Sequence, residues 1–66
     1  SRDAKTAAAM LRADQKRLRD TYERSKEMIA EARSILNRLG DKLLVRLVDV
    51  TELRVDSYFR KQLKVA

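Results

Sequence analysis

The sequence predicts an all-α fold in which two helices of the coiled-coil type form an antiparallel hairpin. Proline is absent and there is a single glycine, and Ala, Leu, Glu, Lys and Arg dominate, as in long helices. A heptad repeat runs as far as Leu39, and Gly40 interrupts it. We therefore predict one module over residues 1–66, with a helix over 3–39, a turn at Gly40-Asp41 and a helix over 41–64.

The first helix is predicted from an apolar seam met by steps of four and three residues. Its members are Ala4, Ala8, Leu11, Gln15, Leu18, Tyr22, Ser25, Ile29, Ala32, Leu36 and Leu39. Gln15 and Ser25 are its polar members. Gln15 is either tolerated in the seam or forms a hydrogen-bonded pair that sets the register.

The turn is predicted at Gly40, which suits the left-handed position after a helix, while Asp41 can cap the next helix. Carried past Gly40, the first register would place Arg46 and Arg60 on the seam. One alternative is a continuous helix in a parallel coiled coil, with a stutter at Gly40. Another is β structure in the valine-rich segment that follows, but strict alternation is missing there.

The second helix is predicted to use a fresh seam of seven positions. These are Leu44, Val48, Thr51, Val55, Tyr58, Gln62 and Val65. When the chain is folded at Gly40, this seam pairs with the first, so that Leu36 meets Leu44 and Tyr22 meets Tyr58. Such mirrored spacing is what an antiparallel hairpin requires.

A chain of 66 residues without cysteine or histidine has few means of stabilising itself alone. Disulfides are excluded, and we expect no metal site and no other cofactor. A second apolar stripe beside the seam predicts pairing into a four-helix bundle, with a second copy or another helical protein. The residues predicted to form the oligomer or partner interface are Leu11, Leu18, Met28, Ile35, Leu39, Leu43, Leu47 and Val50.

The net charge of +6 is concentrated at the open end of the predicted hairpin. This predicted basic patch contains Arg12, Lys16, Arg17, Arg19, Arg60, Lys61 and Lys64. Residues 27–56, by contrast, hold five bases and six acids. A patch of this kind attracts an acidic protein segment, nucleic acid or anionic lipid headgroups.

A basic residue also follows every second seam position of the first helix. These residues are Lys5, Arg12, Arg19, Lys26 and Arg33. Their alkyl stems can cover the seam, or their charges can select an acidic partner helix. We expect Lys26 to meet Glu52 across the hairpin.

The predicted function is that of a non-catalytic oligomerisation or docking module whose basic end engages an acidic partner. Without histidine, Ser-His and Cys-His catalysis are impossible, and no Gly-rich phosphate loop is present. Glu23, Glu27 and Glu31 form a ridge that is best explained as a solvated face. The alternative function is backbone-directed nucleic-acid binding, although no recognised motif for it occurs.

The sequence also bears on cellular location and on whether the chain is part of a larger protein. The lack of cysteine is compatible with the cytoplasm, and no apolar run reaches the roughly 18–20 residues of a membrane span. The first residue is Ser1 rather than methionine. We therefore expect the chain to be a fragment of a larger protein.

Overall fold

A computed structural model describes residues 1–64 and contains two helices, α1 (Arg2–Leu39) and α2 (Lys42–Leu63). No strand occurs within that described range, so the β alternative is wrong there, and the break between the helices rules out one continuous helix. The predicted all-α hairpin is confirmed, with helix boundaries within one residue of those predicted. Val65, a predicted seam position, lies outside the described residues.

The helix ends follow from three local sequence features. The Ser1 hydroxyl accepts a hydrogen bond from the Ala4 N–H at 3.3 Å and caps α1. Gly40 adopts the left-handed conformation at φ 71°, and its N–H donates to the Asn37 carbonyl. The Asp41 N–H donates to the Leu36 carbonyl, which completes a Schellman motif. The roles predicted for the Gly40-Asp41 turn are therefore confirmed.

The face that α2 turns towards α1 differs from the predicted one. Its half-buried or buried residues are Val45, Val48, Glu52, Val55, Asp56, Phe59 and Leu63. Four residues predicted for the seam are exposed instead, namely Leu44, Thr51, Tyr58 and Gln62. At 100° per residue, α2 is turned by roughly 75° from the predicted orientation. The rotation brings Phe59 and the acidic residues of α2 against α1.

The two helices differ in length, which leaves the beginning of α1 uncovered. α1 has 38 residues and α2 has 22. They are therefore about 57 Å and about 33 Å long. The longest dimension of the molecule, 58 Å, is set by α1 alone. Among residues 1–14, only Ala8 is even half-buried. We call residues 2–14 the overhang.

Candidate interaction surfaces

The two sides of the hairpin have opposite chemical character. In the heptad of α1, positions a and d form the seam. Position e directly follows d, and position g directly precedes a. The e positions are basic, whereas Thr21, Met28 and Ile35 occupy g positions. Since the helices are antiparallel, e residues of α1 face e residues of α2, and g residues face g residues. One side therefore becomes ionic and the other apolar.

The ionic side, which we call the ion-pair flank, is a connected network of six residues. These are Tyr22, Lys26 and Arg33 from α1, and Asp49, Glu52 and Asp56 from α2. The Lys26 ammonium lies 2.9 Å from carboxylate oxygens of both Glu52 and Asp56. The contact between Lys26 and Glu52 was expected from the sequence and is confirmed.

Arg33 and Tyr22 extend the same network in opposite directions along α1. The Arg33 guanidinium donates to Glu52 at 2.6 Å and to Asp49 at 3.0 Å. The Tyr22 hydroxyl donates to the carboxylate of Asp56 at 2.6 Å. Exposed single ion pairs contribute little to stability, but a shared network of half-buried groups fixes the axial register of two helices.

The network shifts the pKa of its members in directions that favour the paired forms. Hydrogen bonds from Lys26 and then Arg33 lower the pKa of Glu52. Hydrogen bonds from Tyr22 and then Lys26 lower the pKa of Asp56, and the nearby Arg60 charge adds to this effect. Conversely, Glu52 and Asp56 raise the pKa of Lys26. All three groups are charged near neutral pH, which keeps the flank intact.

The opposite side carries a continuous exposed apolar surface. We call it the apolar flank, and its residues are Met28, Ile35, Leu39, Leu43, Leu44, Leu47 and Val50. Met28, Leu39 and Leu43 keep 70%, 74% and 77% of their surface exposed. A hollow of about 250 Å³ lies between the helices, lined by Met28, Ile29, Ala32, Leu47, Val48 and Thr51. The surface continues round to the outer face of α2 near the turn, where Leu43 and Val50 border a second hollow.

The residues predicted for the interface fall into three groups. Six of them form the apolar flank together with Leu44, a predicted seam residue. Leu11 lies in the overhang and is 64% exposed. Leu18 is half-buried beside Tyr58 and Phe59, so much of its surface is already used inside the hairpin. The exposed Leu53 was also missed, because it belongs to neither predicted stripe.

The predicted basic patch lies at the end of the hairpin away from the turn, and all seven of its residues are exposed. Lys16 forms an ion pair with Asp20 at 2.9 Å, and Arg17 pairs with Asp14. The other five residues form no ion pair within residues 1–64: Arg12, Arg19, Arg60, Lys61 and Lys64. We call the seven-residue patch the basic end.

Other sequence features have a simple structural place. Glu23, Glu27 and Glu31 are exposed on α1. Ser25 is tolerated in the seam because its hydroxyl donates to the Thr21 carbonyl at 2.8 Å. Gln15 makes no side-chain hydrogen bond among the described residues, so a register-setting pair is not formed inside the hairpin.

Comparison with protein-family models, with curated proteins and with solved structures finds no match to this chain. Neither α1 nor α2 is long and apolar enough to cross a membrane. Within residues 1–64 no cluster of three or more acidic side chains is arranged to hold a metal ion. The proposed function therefore rests on the surfaces of the hairpin.

Proposed function

We propose that this chain is a non-catalytic helical module for oligomerisation and protein docking. In this proposal the apolar flank binds another helical surface, most simply that of a second copy, and produces a four-helix bundle. The basic end then engages an acidic segment of a partner protein. Nucleic acid is the alternative ligand for the basic end.

The observation that carries the proposal is the continuity of the apolar flank. Single exposed apolar side chains are common on protein surfaces, but contiguous apolar surface is characteristic of interaction sites. Here seven large apolar side chains are exposed across both helices. Leu47 links them, because it borders one hollow with Met28 and another with Leu43 and Val50. A hairpin with Phe59 as the one buried side chain of its described residues also has little core of its own. Association would bury the flank and supply the missing core.

The charge distribution supports an interface near the turn. Residues 27–56 hold five bases and six acids, and the ion-pair flank pairs three of those acids with Lys26 and Arg33. Two such halves can approach each other without strong charge repulsion. The strong positive charge lies at the other end, where it does not oppose pairing.

The mass in solution, measured by light scattering at micromolar concentration, tests the oligomerisation. We expect at least a dimer for the parent chain and a monomer for Leu47→Glu, which introduces a charge in the middle of the apolar flank. Leu53→Glu is the matched control, since Leu53 lies about 120° round α2 from Leu47 and should leave the mass unchanged. A parent chain that is monomeric and binds no dye for exposed apolar surface would overturn the proposal.

A further inference from the structure

The overhang repeats one half of the contact that holds the hairpin together. Lys26 and Arg33 occupy e positions of α1 and are paired with acids of α2. Lys5, Arg12 and Arg19 occupy the e positions that precede them, at the same seven-residue spacing. These three bases form no ion pair among residues 1–64.

The seam beside Lys5 and Arg12 is also not covered by α2. Ala4, Ala8, Leu11 and Gln15 continue the line of α1 residues that contacts α2. However, α2 ends at Leu63, where Lys64 turns into the left-handed conformation. Tyr22 stacks on Phe59 with ring centroids 5.1 Å apart, so the last turn of α2 lies near residue 18 of α1. Nothing in the described part of the chain follows α2 along the overhang.

We infer that the overhang is a binding site for an acidic amphipathic helix of a partner protein, which lies antiparallel to α1 in line with α2. The inference rests on the proposed function and specifies what the basic end recognises. The acids of that helix would repeat the seven-residue spacing of Asp49 and Asp56 and meet Lys5 and Arg12. Its first turn would approach Arg19, which lies beside the last turn of α2. Its apolar residues would cover the overhang seam.

The charge pattern selects this occupant over a second copy of the chain. An antiparallel pair of overhangs would set e positions against e positions, so Lys5 and Arg12 would face the same two bases. A parallel pair would bring e positions against g positions. The g positions of the overhang are Ala7 and Asp14, so Asp14 is the one acid among them. That carboxylate already pairs with Arg17. Neither arrangement satisfies the row of bases.

The shape of the overhang indicates the size of the residues that would fill it. The seam residues of the overhang at positions 4 and 8 are alanines. Because their side chains are small, a partner helix with large side chains can approach α1 closely. Beside Leu18 a hollow of about 530 Å³ is bordered by Tyr58 and Phe59. The end of the partner helix would lie beside this hollow, which Asp14, Arg17 and Thr21 also line.

The test uses a labelled synthetic helix of 21 residues with leucine at its a and d positions and glutamate at e and g. The glutamates keep copies of this peptide from pairing with each other. Binding to the parent chain is measured by fluorescence anisotropy, and a peptide with glutamine in place of each glutamate is the control. We expect the acidic peptide to bind and the glutamine peptide to bind at least tenfold more weakly.

Two triple variants with the same loss of charge locate the site. We expect Lys5→Gln, Arg12→Gln, Arg19→Gln to weaken binding of the acidic peptide tenfold or more, because it removes the row that meets the acids. The matched variant Arg60→Gln, Lys61→Gln, Lys64→Gln should weaken it less than threefold. Circular dichroism and light scattering check that both variants keep the helicity and mass of the parent.

The outcomes separate this inference from the proposed function. Equal losses in the two variants would overturn the helix site, because attraction would then depend on total charge, while a docking role for the basic end would stand. Failure of the acidic peptide to bind the parent at low salt would overturn both the helix site and that docking role. Oligomerisation through the apolar flank is judged independently by the mass of Leu47→Glu.

Discussion

Phe59 shows how one side chain decides the orientation of a helix. It keeps 9% of its surface exposed, stacks on Tyr22 with an interplanar angle of 9°, and forms a T-shaped pair with Tyr58 at 86°. Stacked and edge-on aromatic pairs add to the free energy gained by burial itself. The Tyr22 hydroxyl also donates a hydrogen bond to Asp56. The Tyr22 ring is therefore held by Phe59 at its face and by Asp56 at its hydroxyl group.

The first prediction follows from this aromatic cluster. Replacing Phe59 with alanine should lower the free energy of unfolding by about 3 kcal/mol, the usual magnitude for a buried phenylalanine. Tyr58→Ala should cost clearly less, because Tyr58 is 56% exposed. Urea unfolding followed by circular dichroism, at one fixed protein concentration, measures both. A larger loss for Tyr58 than for Phe59 would support the seam predicted from the sequence.

Residue types explain why that seam was predicted wrongly in α2. Val48 and Val55 belong to both possible registers, so the choice depended on the residues between them. The observed register places Glu52 at a seam position, and a hydrophobic pattern counts a carboxylate there as unfavourable. Glu52 is favourable because Lys26 and Arg33 both reach it, at 2.9 Å and 2.6 Å. The contact with Lys26 was expected, but its consequence for the rotation of α2 was not.

At the scale of the elements, the turn was predictable because its chemistry is local. The Schellman motif needs a left-handed residue after α1, and Gly40 adopts φ 71° there. The next helix needs a cap, and the Asp41 carboxylate accepts from the Leu44 N–H at 3.0 Å. Neither contact depends on distant residues, whereas the rotation of α2 depends on side chains thirty residues apart.

The second prediction concerns Gly40. A Cβ added there would meet no atom within 4 Å, so the cost of substitution lies in the backbone conformation alone. Gly40→Val should destabilise the hairpin by about 1 kcal/mol or more. Gly40→Asn should cost less, since asparagine tolerates the left-handed region. Thermal unfolding of the two variants checks this order, and equal stability of Gly40→Val and the parent would contradict the observed turn.

The third prediction is the pH dependence of the ion-pair flank. Glu52 and Asp56 have a lower pKa in the folded chain than in the unfolded chain. The unfolded state therefore binds more protons in acid. Stability from these groups is present above their unfolded pKa values of about 4 and is lost as the pH falls through the lower folded values. We expect unfolding midpoints to drop as the pH falls below about 4.

At alkaline pH the stability contributed by the ion-pair flank falls as the pH rises. The folded pKa of Lys26 is raised by Glu52 and then Asp56, and that of Tyr22 is raised chiefly by its hydrogen bond to Asp56. Their contribution is complete below about pH 10 and is lost as the pH rises through the folded values. The variant Glu52→Gln, Asp56→Asn should reduce the loss of stability at both acid and alkaline pH. If its pH profile keeps the shape of the parent's, the flank does not stabilise the hairpin.

At the scale of the whole molecule, association and charge act at different ends. The apolar flank lies in the turn half, and the basic end lies about 30 Å away along α1, at 1.5 Å per residue. Composition and length predicted that the chain would associate, because too little apolar surface is buried in one hairpin. They did not predict which face of α2 stays free, since this depends on the rotation that Phe59 and Glu52 determine.

The fourth prediction is the arrangement of the dimer. A two-fold axis perpendicular to α1, through the middle of the apolar flank, places the two basic ends at opposite poles. A two-fold axis parallel to α1 would place them side by side, and five bases of each basic end form no ion pair within residues 1–64. Like charges at short range repel, so we expect the perpendicular arrangement. Its length would be about 95 Å, because each α1 extends about 47 Å from the middle of the flank.

Small-angle X-ray scattering distinguishes the two arrangements, since a parallel dimer would keep a longest dimension near the 58 Å of one hairpin. The salt dependence provides an independent measurement. Self-association of the perpendicular dimer should change little between about 0.1 M and 1 M salt, because its basic ends are then separated by several Debye lengths of about 10 Å or less. The parallel dimer would be tightened by salt, and Arg60→Gln, Lys61→Gln, Lys64→Gln would tighten it further. A compact dimer that is tightened by salt and by this variant would show that burial of the apolar flank outweighs the repulsion between adjacent basic ends.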